Sequence, residues 1–188
     1  MNEDIIKIIK NGGIGVIPTD TIYGLVGSAF SPVAIQRIYE IKGRDTDKGL
    51  IVLISNIEDL KPFDVEVSEK TKIFLKKYWP GKVSVILDSK SKYFEYLKQK
   101  DGTIAFRVPD NEELVQLLRE TGPLIAPSAN PQGNSPATII AQAKNYFGKK
   151  VDFYIDGGIL ESTPSTLVRI KDDNISILRQ GEVKIDKE

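Results

Sequence analysis

Apolar positions 5, 6 and 9 recur at helical spacing in residues 4–10, and Gly12-Gly13 closes the run, so the chain should open with a short helix. Residues 14–17 are β-branched apart from Gly15 and stop at Pro18, the pattern of a buried strand. Ser31-Pro32 supplies an N-cap and a first-turn proline for a helix whose apolar face is Ala34, Ile35, Ile38, Tyr39 and Ile41. Residues 50–54 read as the next strand, and Ser55-Asn56-Ile57-Glu58 has the capping-box spacing that opens a short helical turn. Ser68 begins a helix that runs through Phe74 and Leu75 to Trp79, where Pro80-Gly81 ends it; the single Trp reads as core. Residues 82–87 alternate apolar and polar as a half-buried strand does, and residues 103–108 form another. Asp110 with Glu113 caps a helix bearing Leu114, Val115, Leu117 and Leu118, and residues 123–126 return as a strand. Ser135-Pro136 opens a last helix ending at Gly148, followed by strands at 151–155, 166–170 and 175–178 and a charged tail, from about residue 182, that should fray. Connections of uneven length predict a mixed sheet, and the absence of repeats or linkers predicts one α/β domain over residues 1–188.

Composition narrows the chemistry more than the fold. The 188 residues carry 26 Lys plus Arg against 26 Asp plus Glu, so no bulk charge draws the chain to nucleic acid or an anionic membrane, and any anion site must be local. Cysteine is absent, which removes disulfides, thiolate nucleophiles and thiolate metal sites. Histidine is absent too, which removes serine-histidine pairs and zinc chemistry. No apolar run approaches the length of a membrane span, and the charged start is unlike a secretory leader, so a soluble cytoplasmic protein is expected.

Five places carry candidate chemistry. Lys42-Gly43-Arg44 and Lys48-Gly49 put three cations within seven residues. In extended backbone Lys42 and Arg44 would point the same way, roughly 6 to 7 Å apart, and could grip one polyanion. The bland alternative is that basic residues complement the end of the preceding helix, with Asp45 and Asp47 neutralising them on a solvated face. The first buried strand delivers Thr19-Asp20-Thr21, either at a ligand or as caps of the next turn. Arg107 ends an apolar strand and must meet an anion of the protein or of a ligand, a ligand carboxylate being the sharper expectation. Ser128 and Asn130 face the same way if residues 127–131 are extended, or serve only a turn. Arg179 leaves the last strand, again toward an anion or toward a surface ion pair.

Taken in order, Pro18-Thr19-Asp20-Thr21-Ile22-Tyr23-Gly24-Leu25, Lys42-x-Arg44 with Lys48-Gly49-Leu50, Phe106-Arg107-Val108-Pro109, Pro127-Ser128-Ala129-Asn130, Ser165-Thr166-Leu167-Val168 and Arg179-Gln180-Gly181 resemble the YrdC-type threonylcarbamoyl-AMP synthase family, in its short, single-domain branch. The resemblance runs from about residue 12 to 181. It implies a twisted mixed β-sheet with flanking helices around a large basic cavity, and formation of L-threonylcarbamoyl-AMP and pyrophosphate from L-threonine, bicarbonate and ATP. Downstream proteins would then transfer the threonylcarbamoyl group to adenosine in tRNA. By position in the family pattern it implies Lys42 and Arg44 as catalytic, Arg44, Lys48, Thr103, Ser128, Asn130 and Arg179 at ATP, and Thr21, Arg107, the Ala126 backbone and Ser165 at threonine. Mg2+ would be bound through ATP or pyrophosphate, with no protein side chain as its ligand. The chain departs from many members at Asp45 and Gly49, where they have Pro, and at Leu53, near which they have a histidine that contacts threonine.

Two other classes remain. A concave basic surface of the same fold could bind tRNA or duplex RNA without turnover, although a net charge of zero weakens that reading. A sugar-phosphate lyase of similar fold relies on a histidine that this chain lacks.

Overall fold

The computed structural model describes residues 3–46 and 48–186; Asp47 and the last two residues of the expected tail lie outside the described residues. In chain order come helix α1 (Glu3–Lys10), strands β1 (Ile14–Ile17) and β2 (Gly24–Ser28), and helix α2 (Pro32–Lys42). Then follow β3 (Ile51–Leu53), a 3-10 segment (Ile57–Phe63), α3 (Glu69–Tyr78), β4 (Val83–Asp88) and β5 (Thr103–Arg107). The rest is α4 (Glu112–Thr121), β6 (Leu124–Ile125), α5 (Ile140–Phe147), β7 (Phe153–Tyr154), β8 (Thr166–Lys171) and β9 (Asn174–Arg179). Among the described residues the strands make one mixed sheet, in the order β7-β1-β2-β6-β3-β5-β4-β8-β9. Three pairs are parallel, β1 with β7, β3 with β5 and β4 with β8, and the others are antiparallel.

Register decides what each face of the sheet does. Val52 stands opposite Phe106 and Ile125, and all three join the larger core with Ile38 of α2, Phe63 of the 3-10 segment and Leu75 of α3. One residue along, Leu53 joins Ile17, Val26 and Leu124 on the opposite face, under Ile9 of α1 and Leu114, Leu117 and Leu118 of α4. Those two helices cover the half of that face made by β1, β2 and β6. Arg107, the register partner of Leu53, lies at the border of that cover and lines a cavity.

Several sequence expectations shift for identifiable reasons. The strand β2 was not predicted, because Leu25-Val26 between two glycines is too short an apolar run to show a period. Lys42 is the last residue of α2, and Gly43 follows in the left-handed conformation (φ 58°) that lets its N–H reach back to the Glu40 carbonyl. The extended Lys42-x-Arg44 geometry is therefore replaced by a helix end. Asn56 caps the 3-10 segment in place of Ser55, whose hydroxyl donates to Asp59. Asn111 caps α4 in place of Asp110, accepting from the Leu114 N–H. The last helix starts at Ile140 rather than near Pro136, because the Ala137 N–H is held by the Ala129 carbonyl. The β4 strand is buried on both faces, its Ser84 hydroxyl lying 2.8 Å from that of Ser165. Trp79 is buried and donates its indole N–H to the Val83 carbonyl at 2.7 Å, as expected of a core residue.

The tail does not fray through residue 186. Ile185 is buried in the main core, and the Thr166 hydroxyl donates to the Val183 carbonyl at 2.6 Å. Gly181 makes this return possible by close approach: a Cβ there would stand 2.2 Å from the Pro164 carbonyl oxygen and 2.5 Å from the Thr166 nitrogen. Gly181→Ala should accordingly lose about 1 to 3 kcal/mol of stability. A denaturant midpoint equal to that of the wild type would show that residues 164–166 yield freely.

Candidate active site

Four loops and two strand ends, those of β5 and β9, meet at the border of the helix cover. The turn of residues 18–23 leaves β1, the loop of residues 43–50 follows α2, residues 126–130 follow β6, and residues 164–165 lead into β8. Together with the ends of β5 and β9 they enclose a cavity of about 270 Å3, lined by Thr19, Thr21, Ile22, Gly24, Arg44, Gly49, Leu50, Ile51, Arg107, Ala126, Pro127, Ser128, Pro136, Pro164, Ser165 and Arg179. Among the described residues three guanidinium groups stand in this wall and no carboxylate does. Burial first, and the Arg107 and Arg44 guanidinium groups after it, lower the basicity of Arg179. A wall of this kind is complementary to a polyanion.

Each arginine is held by backbone or by a carboxylate. Arg44 donates to the Lys48 and Gly49 carbonyls, both at 3.0 Å, and so shapes its own loop. Arg179 donates to the Ser165 carbonyl through Nη2 at 2.9 Å and through Nε at 3.2 Å. Arg107 meets a protein anion: its Nη1 donates to Asp20, and both side chains are almost wholly buried. The Arg107 Nε is buried and has no partner among the described residues.

Lys42 does not line the cavity. Its buried ammonium lies behind the wall and donates to the carbonyls of Ser128 and Asn130, each at 2.5 Å, while its own carbonyl accepts from the Gln132 N–H at 2.7 Å. Burial, and after it the Arg44 guanidinium, lowers Lys42 to about 8, so the group is still charged at neutral pH. The helix α2 thereby fastens the segment that presents Ser128. The Asn130 amide donates to the Pro131 and Asn134 carbonyls at 2.9 and 2.7 Å, and its buried Oδ1 has no partner among the described residues.

Of the remaining sequence candidates, Thr21, Ala126, Ser128 and Ser165 line the cavity together with Arg44, Arg107 and Arg179. The Thr21 hydroxyl lies 3.0 Å from that of Thr19, which also accepts from the Thr21 and Ile22 N–H groups and so fixes the turn. Lys48 and Thr103 are not in the wall. The Lys48 ammonium is half exposed and paired with Asp45 at 2.8 Å. Thr103 sits four residues before Arg107 on β5, about 13 Å away at strand rise, and donates its hydroxyl to Asp101 at 2.7 Å. Leu53 is fully buried in the core under α4 rather than in the cavity. Sequence reasoning missed Ile22, Pro136 and Pro164 as wall residues. Only Pro164, next to Ser165, left any signal. Among the described residues no group of three or more acidic side chains could hold a metal ion, and no helix is long and apolar enough to cross a membrane.

Fold and site together define an α/β protein with an arginine-walled anion cavity at the edge of a half-covered mixed sheet. The chain belongs to the Sua5/YciO/YrdC family, whose sequence model, described as "Telomere recombination", matches residues 7–181. A protein of Mycobacterium tuberculosis named "Putative threonylcarbamoyl-AMP synthase" is 30% identical over 180 residues, covering 95% of this chain and 83% of the relative. The crystal structure of Pyrococcus abyssi Sua5 complexed with L-threonine superposes with a TM-score of 0.85 at 30% identity, covering 95% of this chain and 53% of that one. Escherichia coli YciO superposes with a TM-score of 0.87 at 26% identity, covering 96% and 89%. The chain thus spans about half the length of the Pyrococcus protein and most of the other two.

The Lys42 geometry makes a direct prediction. Lys42→Met keeps most of the stem volume and leaves the buried Asn130 carbonyl without its donor, the Ser128 carbonyl still accepting from the Asn130 N–H, which should cost about 1 to 3 kcal/mol. Urea unfolding of the variant measures it. A midpoint matching the wild type would show that water replaces the ammonium.

Proposed function

We propose that this chain is an L-threonylcarbamoyl-AMP synthase, using L-threonine, bicarbonate and ATP. The observation that carries the reading is the cavity itself, three arginines from separate elements around one volume with no carboxylate in its wall among the described residues. It is supported by relatives that bear this name and by the threonine complex of the Pyrococcus structure.

The chemistry asks little of a protein nucleophile. The threonine amine and bicarbonate give a carbamate with loss of water; a carbamate oxygen forms a bond to the α-phosphorus as the bond to the leaving pyrophosphate breaks. Such a displacement needs alignment and neutralisation of charge, which a chain without histidine or cysteine can supply. Arg107 takes the threonine carboxylate, with Thr21, Ser165 and the Ala126 backbone around the amino acid. Arg44 and Arg179 take the phosphates, with Ser128 beside them. A cavity of about 270 Å3 is just under the usual range of about 300 to 1000 Å3 for small-molecule sites. Nucleotide and amino acid together therefore extend past its mouth. Lys48 would reach the phosphates by exchanging its exposed Asp45 partner, and Thr103 and Asn130 would act at the periphery. Lys42 acts by holding Ser128 rather than by touching the reacting atoms. With no carboxylate in the wall among the described residues, Mg2+ would enter bound to phosphate oxygens. The adenylate formed is an activated carbamoyl donor, suited to transfer onto tRNA adenosine by partner proteins. We place the reaction in the cytoplasm, within a single domain over residues 1–188.

Pyrophosphate release should require threonine and bicarbonate together, since the nucleophile exists only with both. Equal release from ATP alone would refute the reading, and salt-dependent tRNA binding without turnover would favour an RNA-binding module instead. Arg44→Ala should raise the ATP KM and lower turnover by roughly 10- to 150-fold, the effect of one charge-assisted contact. A variant with wild-type kinetics for ATP would remove Arg44 from the phosphate site.

A further inference from the structure

Asp20 lies just behind the cavity wall, on the turn between β1 and β2, and both of its oxygens are occupied. Oδ1 accepts from Arg107 Nη1, and Oδ2 accepts from the Asp110 N–H at 3.1 Å, at the approach to α4. Asp20 does not line the cavity, so it is not placed to take a substrate proton as a general base. It can orient its partner. Asp20 accepts from Nη1, and among the described residues no bond engages the other edge of the guanidinium, Nε with Nη2; Nε is buried and unpartnered there, in a residue that is 4% exposed and lines the cavity. An Nε–Nη2 edge presents two parallel N–H donors at the spacing of the two oxygens of a carboxylate.

We infer that Asp20 is the positioning residue for amino-acid recognition: it turns the Arg107 guanidinium so that the Nε–Nη2 edge faces the substrate carboxylate. The inference rests on the functional reading above, in which that substrate is L-threonine. The anchoring of Asp20 extends beyond the pair, because the Thr19 hydroxyl fixes the turn that carries it and the Asp110 N–H fixes the carboxylate from the other side. Asp20 is thus a stop against which a long, otherwise rotatable arginine is set, and the orientation is prepared before substrate arrives.

Calorimetric titration of L-threonine and, separately, of ATP into the wild type, Asp20→Asn, Arg107→Ala and the double variant tests this. Asp20→Asn should weaken threonine about 10-fold or more while changing ATP affinity less than about 3-fold, the scale of one charge-assisted bond. The double variant should bind threonine no more weakly than Arg107→Ala alone, because without the arginine there is nothing for Asp20 to orient. Threoninol, which has no carboxylate, should bind wild type and Asp20→Asn equally. Threonine affinity unchanged in Asp20→Asn, losses that add in the double variant, or an equal loss for ATP would each overturn the inference and leave the functional reading standing. A wild type that binds no threonine would overturn both. Should Asp20→Asn fail to give a cooperative thermal transition, Asp20→Glu, which keeps the charge and displaces the carboxylate by one methylene, is judged by the same outcomes.

Discussion

The ammonium of Lys42 joins two pieces of chain that share no regular hydrogen-bonding pattern, the end of α2 and the segment of residues 127–131. Three contacts make the joint, two carbonyls on the side chain and the Gln132 N–H on the Lys42 carbonyl. The Ser128 carbonyl also accepts from the Asn130 N–H at 2.9 Å, but the buried Asn130 carbonyl would be left without a donor if the ammonium were removed, at a cost of about 1 to 3 kcal/mol. Meanwhile Gly43 ends the helix and sends the chain on to Arg44, which lines the cavity a residue later. One helix end therefore fixes Ser128 from behind and delivers Arg44 from the side. The charge that looks most available in the sequence is the one most completely used by the fold.

The same economy applies to the other cations. Arg107 is buried against a single carboxylate with its Nε left unpartnered among the described residues, while Arg44 and Arg179, which are less buried, are held by carbonyls. That carboxylate is set back from the wall, so among the described residues the wall carries only positive charge, and Arg107 and Arg44 add to burial, the larger cause, in lowering the basicity of Arg179. A ligand that brings several negative charges relieves this repulsion, and a neutral one does not. The positive site is local, in a chain whose charges sum to zero.

The sheet explains where the cavity can form. Each strand buries alternate residues on opposite faces, so Val52 belongs to one core and Leu53 to the other. The helices α1 and α4 are short and pack near the β1, β2 and β6 half, and the arginine-walled volume begins at the border of that cover. The return of the chain through Gly181 and Ile185 holds the far end of β8 in place, and with it Ser165 and the Arg179 contact. Stability and site are not separable along this edge.

Much of this was legible in the amino-acid order. The run of residues 14–17, the Ser31-Pro32 helix start and the apolar strand ending in Arg107 were fixed by local chemistry: β-branching, caps and period. The motifs in their order carried the family, and with it most of the residues that line the cavity. What the order could not carry was direction and partnership. Lys42 and Arg44 are two residues apart whether the backbone is extended or helical, and only the extent of α2 turned one inward and the other to the cavity. Ser55 and Asn56 are both good caps, and the choice fell to Asn56 because Asp59 claimed the Ser55 hydroxyl. Asp20 and Arg107 are 87 residues apart, and no local rule pairs them. The sequence determined which groups exist and which segments are helix or strand, because those depend on neighbours in the chain. The tertiary structure decided which charges face the ligand and which hold the wall, because burial forces each buried donor to find an acceptor and only the fold determines which acceptor is near.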